Sequence, residues 1–187
     1  MATIIETERL IIRTWQESDI EPFIRMNQDP LVMHFQSRHL TPEETRANVA
    51  LYAKHHAQHG FGIWAVEHKE TGAFIGRIGI SIPTFPNPCN PCVMIGWFIA
   101  SNYWGSGYAT EGAQAVLDYA FTVLNIEEVV AFASASNAAS INLMQKLGMH
   151  RDVAGDFIHP DFIVDNRHLE QYTTHRKSNT KNGRKRK

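Results

Sequence analysis

The stretch that decides the fold is residues 103–121, YWGSGYATEGAQAVLDYAF. It begins with two glycines, Gly105 and Gly107, which allow positive φ angles and leave no Cβ in the way of a ligand. The apolar residues that follow recur at helical spacing, at Ala113, Val116, Leu117, Ala120, Phe121 and Leu124. This spacing is typical of one face of an amphipathic helix. The pattern predicts a glycine-rich turn that opens directly into a helix.

The segments around this turn predict a buried strand before it and a strand and a helix after it. Residues 92–100 (CVMIGWFIA) are too apolar for a half-exposed strand, so we expect a central strand that is buried on both faces. A further strand is expected over residues 129–133. Asn137 should cap the next helix, which ends at Leu147 because Gly148 supplies a left-handed stop.

The remaining segments complete a mixed α/β domain without an internal repeat, in the order β-α-α-β-β-β-α-β-α-β-β. The other strands are expected over residues 4–15, 61–67, 73–82, 150–157 and 169–175. The proline-rich segment 83–91 (PTFPNPCNP) should be a loop, because proline cannot donate to a sheet ladder.

Two capping boxes predict where the first two helices begin. Ser18 and Glu21 have the spacing of such a box, so a helix should run over residues 19–26. Thr41 and Glu44 repeat the signal, and the second helix should stop at Gly60.

The amides after the glycine pair suit a phosphate or pyrophosphate group, since they lack intrahelical partners at the positive end of a helix dipole. A turn that needs glycines only for its own geometry is the alternative. A Walker-type loop requires Lys after the last glycine, where this chain has Tyr108 and Ala109. A dinucleotide fingerprint requires Gly or Ala in place of Thr110 and an acid at the end of the next strand, whereas Glu127 and Glu128 precede theirs. An acyl-CoA turn is the third template.

The glycine-rich stretch, together with SNAASINLMQKLGM at 136–149, resembles the GNAT superfamily of acyl-CoA-dependent N-acyltransferases. The opening ERLIIRTWQESDIEPFIRMNQDPLVMHF at 8–35 resembles its RimJ/RimL-like branch of ribosomal-protein N-terminal acetyltransferases. The resemblance covers roughly residues 7–175. It implies the GNAT fold: a central, mixed, mostly antiparallel sheet of about six or seven strands, flanked by helices and splayed between the fourth and fifth strands. It also implies acetyl-CoA as the cosubstrate and no metal.

The resemblance also implies how the cosubstrate binds. The pantetheine arm would lie in the opening between strands 92–100 and 129–133, bonded by the backbones of Phe98 and Ile99 and by Asn137, with Ser140 facing the thioester sulfur. The pyrophosphate would lie on the turn formed by Trp104, Gly105, Ser106, Gly107, Tyr108, Ala109 and Thr110. Trp104 stands where much of the superfamily has Arg or Gln, so this site should depend on backbone amides more than on a cation.

Two methionines stand where related enzymes often carry acid–base residues. Met94 replaces a glutamate base, and Met144 replaces the tyrosine that protonates the leaving thiolate. At pH 7 about one-seventh of an α-amine with pKa about 7.8 is neutral, against a few ten-thousandths of a lysine amine near 10.4. A weak base therefore favours an N-terminal or other low-pKa amine. Ser140 is expected to stabilise the departing sulfur, because a hydroxyl is a weak general acid.

The segment GDFIHPDF at 155–162 supplies a replacement base. The resemblance places it at the mouth of the acceptor cleft, and a surface loop is the alternative. We expect His159 to be the base, since imidazole titrates in the right range. Asp156 and Asp161 would form an acidic cleft that attracts a cationic amine.

Two other clusters have structural interpretations. His55, His56 and His59 lie on the second helix, and His55 and His59 are four residues apart, but a metalloprotease would need Glu where His56 stands. We interpret them as a solvated helix face, with contact to the acceptor as the alternative. Cys89 and Cys92 form a lone CxxC, and a structural zinc site needs four ligands. We expect loop cysteines.

The charge of the chain is divided between a body and a tail. The formal net charge is −1, from 18 Lys and Arg against 19 Asp and Glu. Residues 176–187 (RKSNTKNGRKRK) hold seven of these bases and no acid, so residues 1–175 carry 11 bases and all 19 acids. An acidic body excludes a globally basic nucleic-acid-binding domain. We expect a GNAT domain over 1–175 and a flexible tail over 176–187 that is solvated or serves as a weak tether to RNA or ribosomes.

The N-terminus MATIIETERL is acidic, unlike a signal peptide, and no apolar run approaches the ~18 residues of a membrane span. We therefore expect a cytoplasmic protein without membrane contact, a monomer or a homodimer. The predicted activity is direct attack of a bound primary amine on acetyl-CoA. The acceptor stays open among a protein N-terminus, an antibiotic, a polyamine and an amino-acid-like metabolite. The alternative, suggested by Met94 and Met144, is a non-catalytic acyl-CoA-binding or sensor module.

Overall fold

The computed structural model describes residues 1–34, 38–159 and 168–176 of the chain. The strands are β1 (Thr3–Glu6), β2 (Leu10–Arg13), β3 (Ile63–His68), β4 (Phe74–Ser81), β5 (Met94–Ile99), β6 (Glu128–Ser134), β7 (His150–Ile158) and β8 (His168–His175). The helices are α1 (Ile20–Gln28), α2 (Pro30–Met33), α3 (Pro42–His59), α4 (Tyr108–Thr122) and α5 (Ala138–Lys146).

The strands form one sheet in the order β1-β2-β3-β4-β5-β6-β8-β7. All neighbours are antiparallel except β5 and β6, which are parallel. The predicted mixed, mostly antiparallel sheet is confirmed. It has eight strands instead of six or seven, because residues 4–15 fold into two strands, β1 and β2, joined by a tight turn at residues 7–9.

Helices cover both faces of the sheet. On one face, α4 and α5 pack on the larger core, and the predicted stripe of α4 provides Ala113, Val116, Leu117 and Ala120 to it. On the other face, α1, α2 and α3 pack on a smaller core that includes Phe98 of β5. The two faces of β5 therefore meet different helices, and this strand separates the two cores.

The sheet opens between β5 and β6. The two strands pair only at Met94 and Val130, supported by a hydrogen bond of 2.9 Å from Val130 N to the carbonyl of Val93. Toward the carboxyl end of β5 the strands diverge. This is the predicted splay between residues 92–100 and 129–133, and it means that β5 is not buried on both faces: Met94 and Trp97 are half-buried.

One of the two predicted capping boxes is confirmed. Thr41 accepts a hydrogen bond from Glu44 N and the Glu44 carboxylate accepts one from Thr41 N; the helix ends at Gly60 with φ 76°. The box predicted at Ser18 is wrong, since the Asp19 carboxylate accepts from Gln16 N instead. A short 3-10 turn over residues 17–19 precedes α1. Asp19 is fixed there because it is buried against Arg13, at 2.7 Å.

The described residues contain neither a membrane-spanning helix nor a metal-binding group. No helix among them is both long and apolar enough to cross a membrane. No group of three or more His, Cys, Asp or Glu side chains in the described ranges is arranged to hold a metal ion. The domain boundary at residue 175 stays a prediction, since residues 177–187 of the basic tail lie outside the described residues, as does Asp161.

Candidate functional site

A cavity of about 410 Å³ lies at the open end of the sheet, where β5, the glycine-rich turn, α5 and α2 meet. Its lining includes most of the residues assigned to acetyl-CoA from the sequence: Phe98, Ile99, Trp104, Gly105, Gly107, Tyr108, Ala109, Thr110, Asn137 and Ser140. Ser106 and His159 are not among the lining residues. The structure thus brings together the strand end, the turn and the start of α5.

The glycine-rich turn presents free amides to this cavity. Gly105 and Gly107 have φ angles of 74° and 83°, which favour glycine. The first intrahelical bond of α4 runs from Glu111 N to the carbonyl of Gly107. The amides of Tyr108 and Ala109 therefore have no partner within the helix and lie at its positive end. The turn has the geometry of an anion site.

The backbone of β5 directs alternate residues toward the opening. Ala100 N donates to the carbonyl of Ile75 on β4 at 2.9 Å. Because hydrogen-bonded pairs alternate along an antiparallel ladder, the backbone groups of Phe98 also face β4, in register with Arg77. Those of Trp97 and Ile99 face the opening. Phe98 lines the cavity through its side chain.

Two tryptophans hold polar groups at the rim of the cavity. The indole nitrogen of Trp104 donates to the carbonyl of Ile99 at 2.7 Å, although 51% of the Trp104 residue is exposed. The indole nitrogen of Trp97 lies 3.4 Å from Ser140 Oγ and donates to it. Trp97 cannot be recognised from the sequence, because the run CVMIGWFIA does not indicate which of its residues face the opening.

The start of α5 is fixed as predicted. Asn137 Oδ1 accepts a hydrogen bond of 3.1 Å from Ser140 N, which is the capping interaction. Since this oxygen is used by the cap, Asn137 presents its amide nitrogen to other partners. Ser140 sits one turn into the helix with its hydroxyl in the cavity lining.

The turn is also held by a cation from the other end of the chain. Ser106 is exposed, and its carbonyl accepts a hydrogen bond from Arg9 Nη1 at 2.9 Å. Arg9 forms an ion pair with Glu111 of α4 at 2.6 Å and lies over the Tyr108 ring at 4.5 Å. Arg9 therefore stabilises the turn from about 100 residues away in the sequence, but it does not line the cavity, and the expectation that the cosubstrate depends on backbone amides more than on a cation stays a prediction.

The two methionines occupy different environments. Met144 is completely buried in the larger core, so its position offers no acid to the cavity. Met94 is half-buried at the start of the opening. At both positions where related enzymes often carry an acid or base, this chain therefore has an apolar side chain, Met94 at the opening and Met144 in the core behind it.

His159 lies in an aromatic cluster beyond β7. Its ring centroid is 4.3 Å from that of Phe85 and 6.1 Å from that of Phe157, and Phe132 of β6 packs on Phe157 at 5.1 Å. Asp156 is engaged by Arg151 at 2.5 Å, and this hydrogen bond lowers the pKa of the carboxyl group. Asp156 therefore offers no free negative charge, and the acidic cleft expected around it is not formed by this residue.

The remaining clusters have structural roles. His55 bonds the carbonyl of Phe61 through Nδ1 and accepts from Ile82 N through Nε2, and burial lowers its pKa. His56 accepts a hydrogen bond from Trp64. The interpretation as a solvated helix face is therefore wrong for these two histidines. Cys89 and Cys92 are loop cysteines, as expected, and are joined by a disulfide bond.

The chain is similar to known proteins over most of its length. The family model described as an acetyltransferase (GNAT) domain matches residues 9–150. The uncharacterized protein YkkB of Bacillus subtilis (strain 168) is 33% identical over 149 residues, which is 79% of this chain and 86% of YkkB.

Solved structures share the fold. An acetyltransferase from Agrobacterium tumefaciens str. C58 matches 94% of this chain and 95% of its own with a TM-score of 0.78 and 26% identity. RimL, a ribosomal L7/L12 alpha-N-protein acetyltransferase in complex with coenzyme A, matches 93% of this chain and 98% of its own with a TM-score of 0.74. At 17% identity, RimL supports the fold alone.

Proposed function

Since the chain belongs to the GNAT acetyltransferase family, we propose that it transfers an acetyl group from acetyl-CoA to a primary amine by direct attack in a ternary complex. The observation that carries this proposal is the opening beside β5. The N–H and carbonyl of Trp97 and the N–H of Ile99 face it, whereas the Ile99 carbonyl is already bonded by Trp104, and the opening leads to the free amides of the glycine-rich turn. Unpaired backbone groups in such a position need a partner, and an extended pantetheine arm would supply one.

In this proposal the pyrophosphate binds the amides of Tyr108, Ala109 and Thr110 at the start of α4, with Gly105 and Gly107 giving close access. The alternation along β5 favours Trp97 over Phe98 as the backbone partner of the arm, together with the N–H of Ile99. Asn137 would bond the arm through its amide nitrogen. The complex of RimL with coenzyme A supports this assignment at the level of the fold.

The chemistry assigned to the residues follows from their positions. When bound, acetyl-CoA supplies the thioester. The amine nitrogen attacks its carbonyl carbon, the C–N bond forms, the C–S bond breaks, and the amine proton leaves through a base or water. Ser140, oriented by Trp97, would donate a hydrogen bond to the departing sulfur. His159 is the proposed base. Positioning and hydrogen bonding to the developing charges would supply most of the rate enhancement.

The finer placement in the RimJ/RimL-like branch belongs to this proposal. It is supported by the opening at 8–35 and by the fold likeness to RimL. The acceptor would then be a protein N-terminus or a small amine. The second candidate function is a non-catalytic acyl-CoA-binding module, which is favoured by the buried Met144 and by Met94 at the positions of the usual acid and base.

The test combines binding and turnover. Calorimetry with acetyl-CoA should show binding, and a thiol-detection assay over a panel of amines should show release of free coenzyme A. Ser140→Ala and His159→Ala should lower turnover, and His159→Ala should also remove the acidic limb of the pH profile, where protonation of a general base slows the reaction. Ser136→Ala is a matched control, since Ser136 bonds Ser134 outside the cavity. Binding without thiol release for any amine would favour the sensor module, and absence of binding would contradict both functions.

A further inference from the structure

An arginine, Arg77 of β4, lies next to the cavity on the face of the sheet that α1 and α3 cover. The strand registers place Arg13, Ala65, Arg77 and Phe98 in one row across β2, β3, β4 and β5. Residues paired across neighbouring strands project from the same face, which here is the face covered by α1 and α3. Arg77 is therefore one strand away from Phe98, which lines the cavity.

The two arginines of this row have opposite environments. Arg13 is fully buried and is neutralised by Asp19 at 2.7 Å and Glu67 at 2.8 Å. The Arg77 side chain has no ion pair or hydrogen bond among the described residues, and its Nε atom is buried without a partner. Its guanidinium carbon lies 5.0 Å from the Phe98 ring centroid and 5.6 Å from that of Tyr52. The aromatic rings contact the guanidinium group, but its buried Nε finds no acceptor and its Nη atoms make no hydrogen bond to the described residues.

The lining of the cavity contains no Asp or Glu among the described residues, and its one charged side chain is Lys146. Asp156 is bound to Arg151. A polyamine would need carboxylates to offset the loss of its hydration, and this part of the site does not provide them. A planar guanidinium group with free donors instead matches a carboxylate or phosphate, which it can bind through two parallel hydrogen bonds.

Building on the proposed function, we propose that Arg77 binds an oxyanion group of the acceptor, so that the enzyme acetylates amines that also carry a carboxylate or phosphate. Neighbouring strands lie about 4.8 Å apart, and the opening lies on the far side of β5 from Arg77. The amine and the anion should therefore be separated by roughly 5–10 Å, one to two strand spacings. Amino acids with the amine at the end of a chain fit this spacing better than α-amino acids.

Acceptor pairs that differ only in the anion test this assignment. The ω-amino acids β-alanine, 4-aminobutyrate and 6-aminohexanoate are compared with n-alkylamines of the same length, O-phosphoethanolamine with ethanolamine, and spermidine serves as the polycation. For the wild type, kcat/KM should favour the anionic member of each pair, most strongly at intermediate chain length. The phosphate pair shows whether the anion is a carboxylate or a phosphate.

The variant Arg77→Met keeps the length of the stem and removes the charge. It should lower the preference for the anionic acceptor ~10- to 100-fold, the range of a hydrogen-bonded charge pair, by raising the KM for the acceptor and not the KM for acetyl-CoA. Arg77→Lys should restore part of the preference, since it keeps the charge but not the planar group. Arg46→Met is the matched control, because Arg46 is paired with Glu21 on the surface of α3, and it should leave the preference unchanged.

A binding measurement keeps the two proposals separate. Calorimetric titration of 6-aminohexanoate and hexylamine into the protein loaded with coenzyme A reports on Arg77 without turnover. If no amine is acetylated but binding of the acid still depends on Arg77, the proposed function fails, and of this inference only the binding of the oxyanion by Arg77 stands. If alkylamines, spermidine and ω-amino acids are acetylated equally well, or if Arg77→Met changes all of them alike, the inference is overturned and the proposed function stands.

Discussion

Replacing Glu111 with alanine should destabilise the fold and loosen the glycine-rich turn together. Its carboxylate accepts hydrogen bonds from Thr7 Oγ1 at 2.6 Å, from Arg9 N at 2.9 Å and from Arg9 Nε at 2.7 Å. Arg9 in turn holds the carbonyl of Ser106. One side chain in the first turn of α4 therefore joins the β1–β2 turn to the segment proposed to bind pyrophosphate.

The expected loss of stability in Glu111→Ala is about 3 kcal/mol. The bonds from Thr7 and the Arg9 amide contribute about 1 kcal/mol each, at the neutral-donor end of the usual range. The ion pair with Arg9 contributes at most about 1 kcal/mol, because 40% of the Arg9 side chain and 18% of the Glu111 side chain are exposed. An acid in the first helical turn adds a few tenths of a kcal/mol.

Equilibrium urea unfolding, followed by tryptophan fluorescence, measures this loss. With a slope of about 2 kcal/mol per molar urea, the midpoint should fall by about 1.5 M. Asp118→Ala on the same helix is the control, since the Asp118 carboxylate accepts a hydrogen bond from Gln114 of that helix, while the bond from Thr122 Oγ1 goes to the Asp118 backbone carbonyl. This variant should change stability by less than about 0.5 kcal/mol. The KM for acetyl-CoA should rise in Glu111→Ala and stay constant in the control.

The pH dependence adds an independent check. Burial raises the pKa of Glu111, but the hydrogen bonds from Thr7 and Arg9 and the charge of Arg9 outweigh it, so the pKa is lowered from 4.5. A carboxyl group whose pKa is lower in the folded than in the unfolded protein stabilises the fold fully at pH values above its unfolded pKa. This stabilisation is lost as the pH falls through the folded pKa. The stability gap between wild type and Glu111→Gln should therefore shrink below pH 4.5. A gap that is independent of pH, or an alanine variant within 0.5 kcal/mol of wild type, would refute this reasoning.

Two further predictions concern Gly107 and His55. Gly107→Ala, at φ 83°, should cost about 1–2 kcal/mol of stability and raise the KM for acetyl-CoA. Gly60→Ala, at φ 76° and away from the cavity, should cost the same stability without affecting this KM. Equal changes in KM for the two variants would contradict the assignment of the turn to the cosubstrate. Burial lowers the pKa of His55 from 6.5, so as the pH falls this histidine is protonated in the unfolded protein before it is protonated in the folded protein. Wild type should therefore lose more stability than His55→Gln between pH 7.5 and pH 5.5. Equal losses in urea titrations at the two pH values would contradict a lowered pKa for this half-buried histidine.

Short sequence motifs correctly predicted those parts of the site whose geometry depends on residues close together in the sequence. The glycine pair, the start of α4, the Asn137 cap and the Thr41 capping box are each specified within about four residues of sequence, and the structure has all of them. The capping box predicted at Ser18 has the same local pattern but does not form, because a tertiary contact buries Asp19 against Arg13. A local motif was therefore reliable where no buried charge competed with it.

The sequence of β5 does not show which of its residues direct their backbone groups toward the opening. The strand is apolar on both sides, so its composition does not show whether odd or even positions face the opening. That choice depends on the register with β4, through the bond from Ala100 to Ile75. Arg9 and Arg77 were missed for a related reason, since their importance comes from partners, or from the lack of them, on strands and helices distant in sequence.

The cavity is thus built by two different means. The side that we propose for the cosubstrate consists largely of backbone groups from β5 and from the turn after Trp104, which depend on glycine geometry and strand register more than on particular side chains. The side that we propose for the acceptor depends on side chains: Phe98, which lines the cavity, and Arg77, which lies beside Phe98 on β4. Substitutions that keep the two glycines should leave acetyl-CoA binding intact, whereas a single change at Arg77 should alter which amines are acetylated. Acceptor choice can therefore diverge among proteins that share this fold while their cosubstrate stays the same.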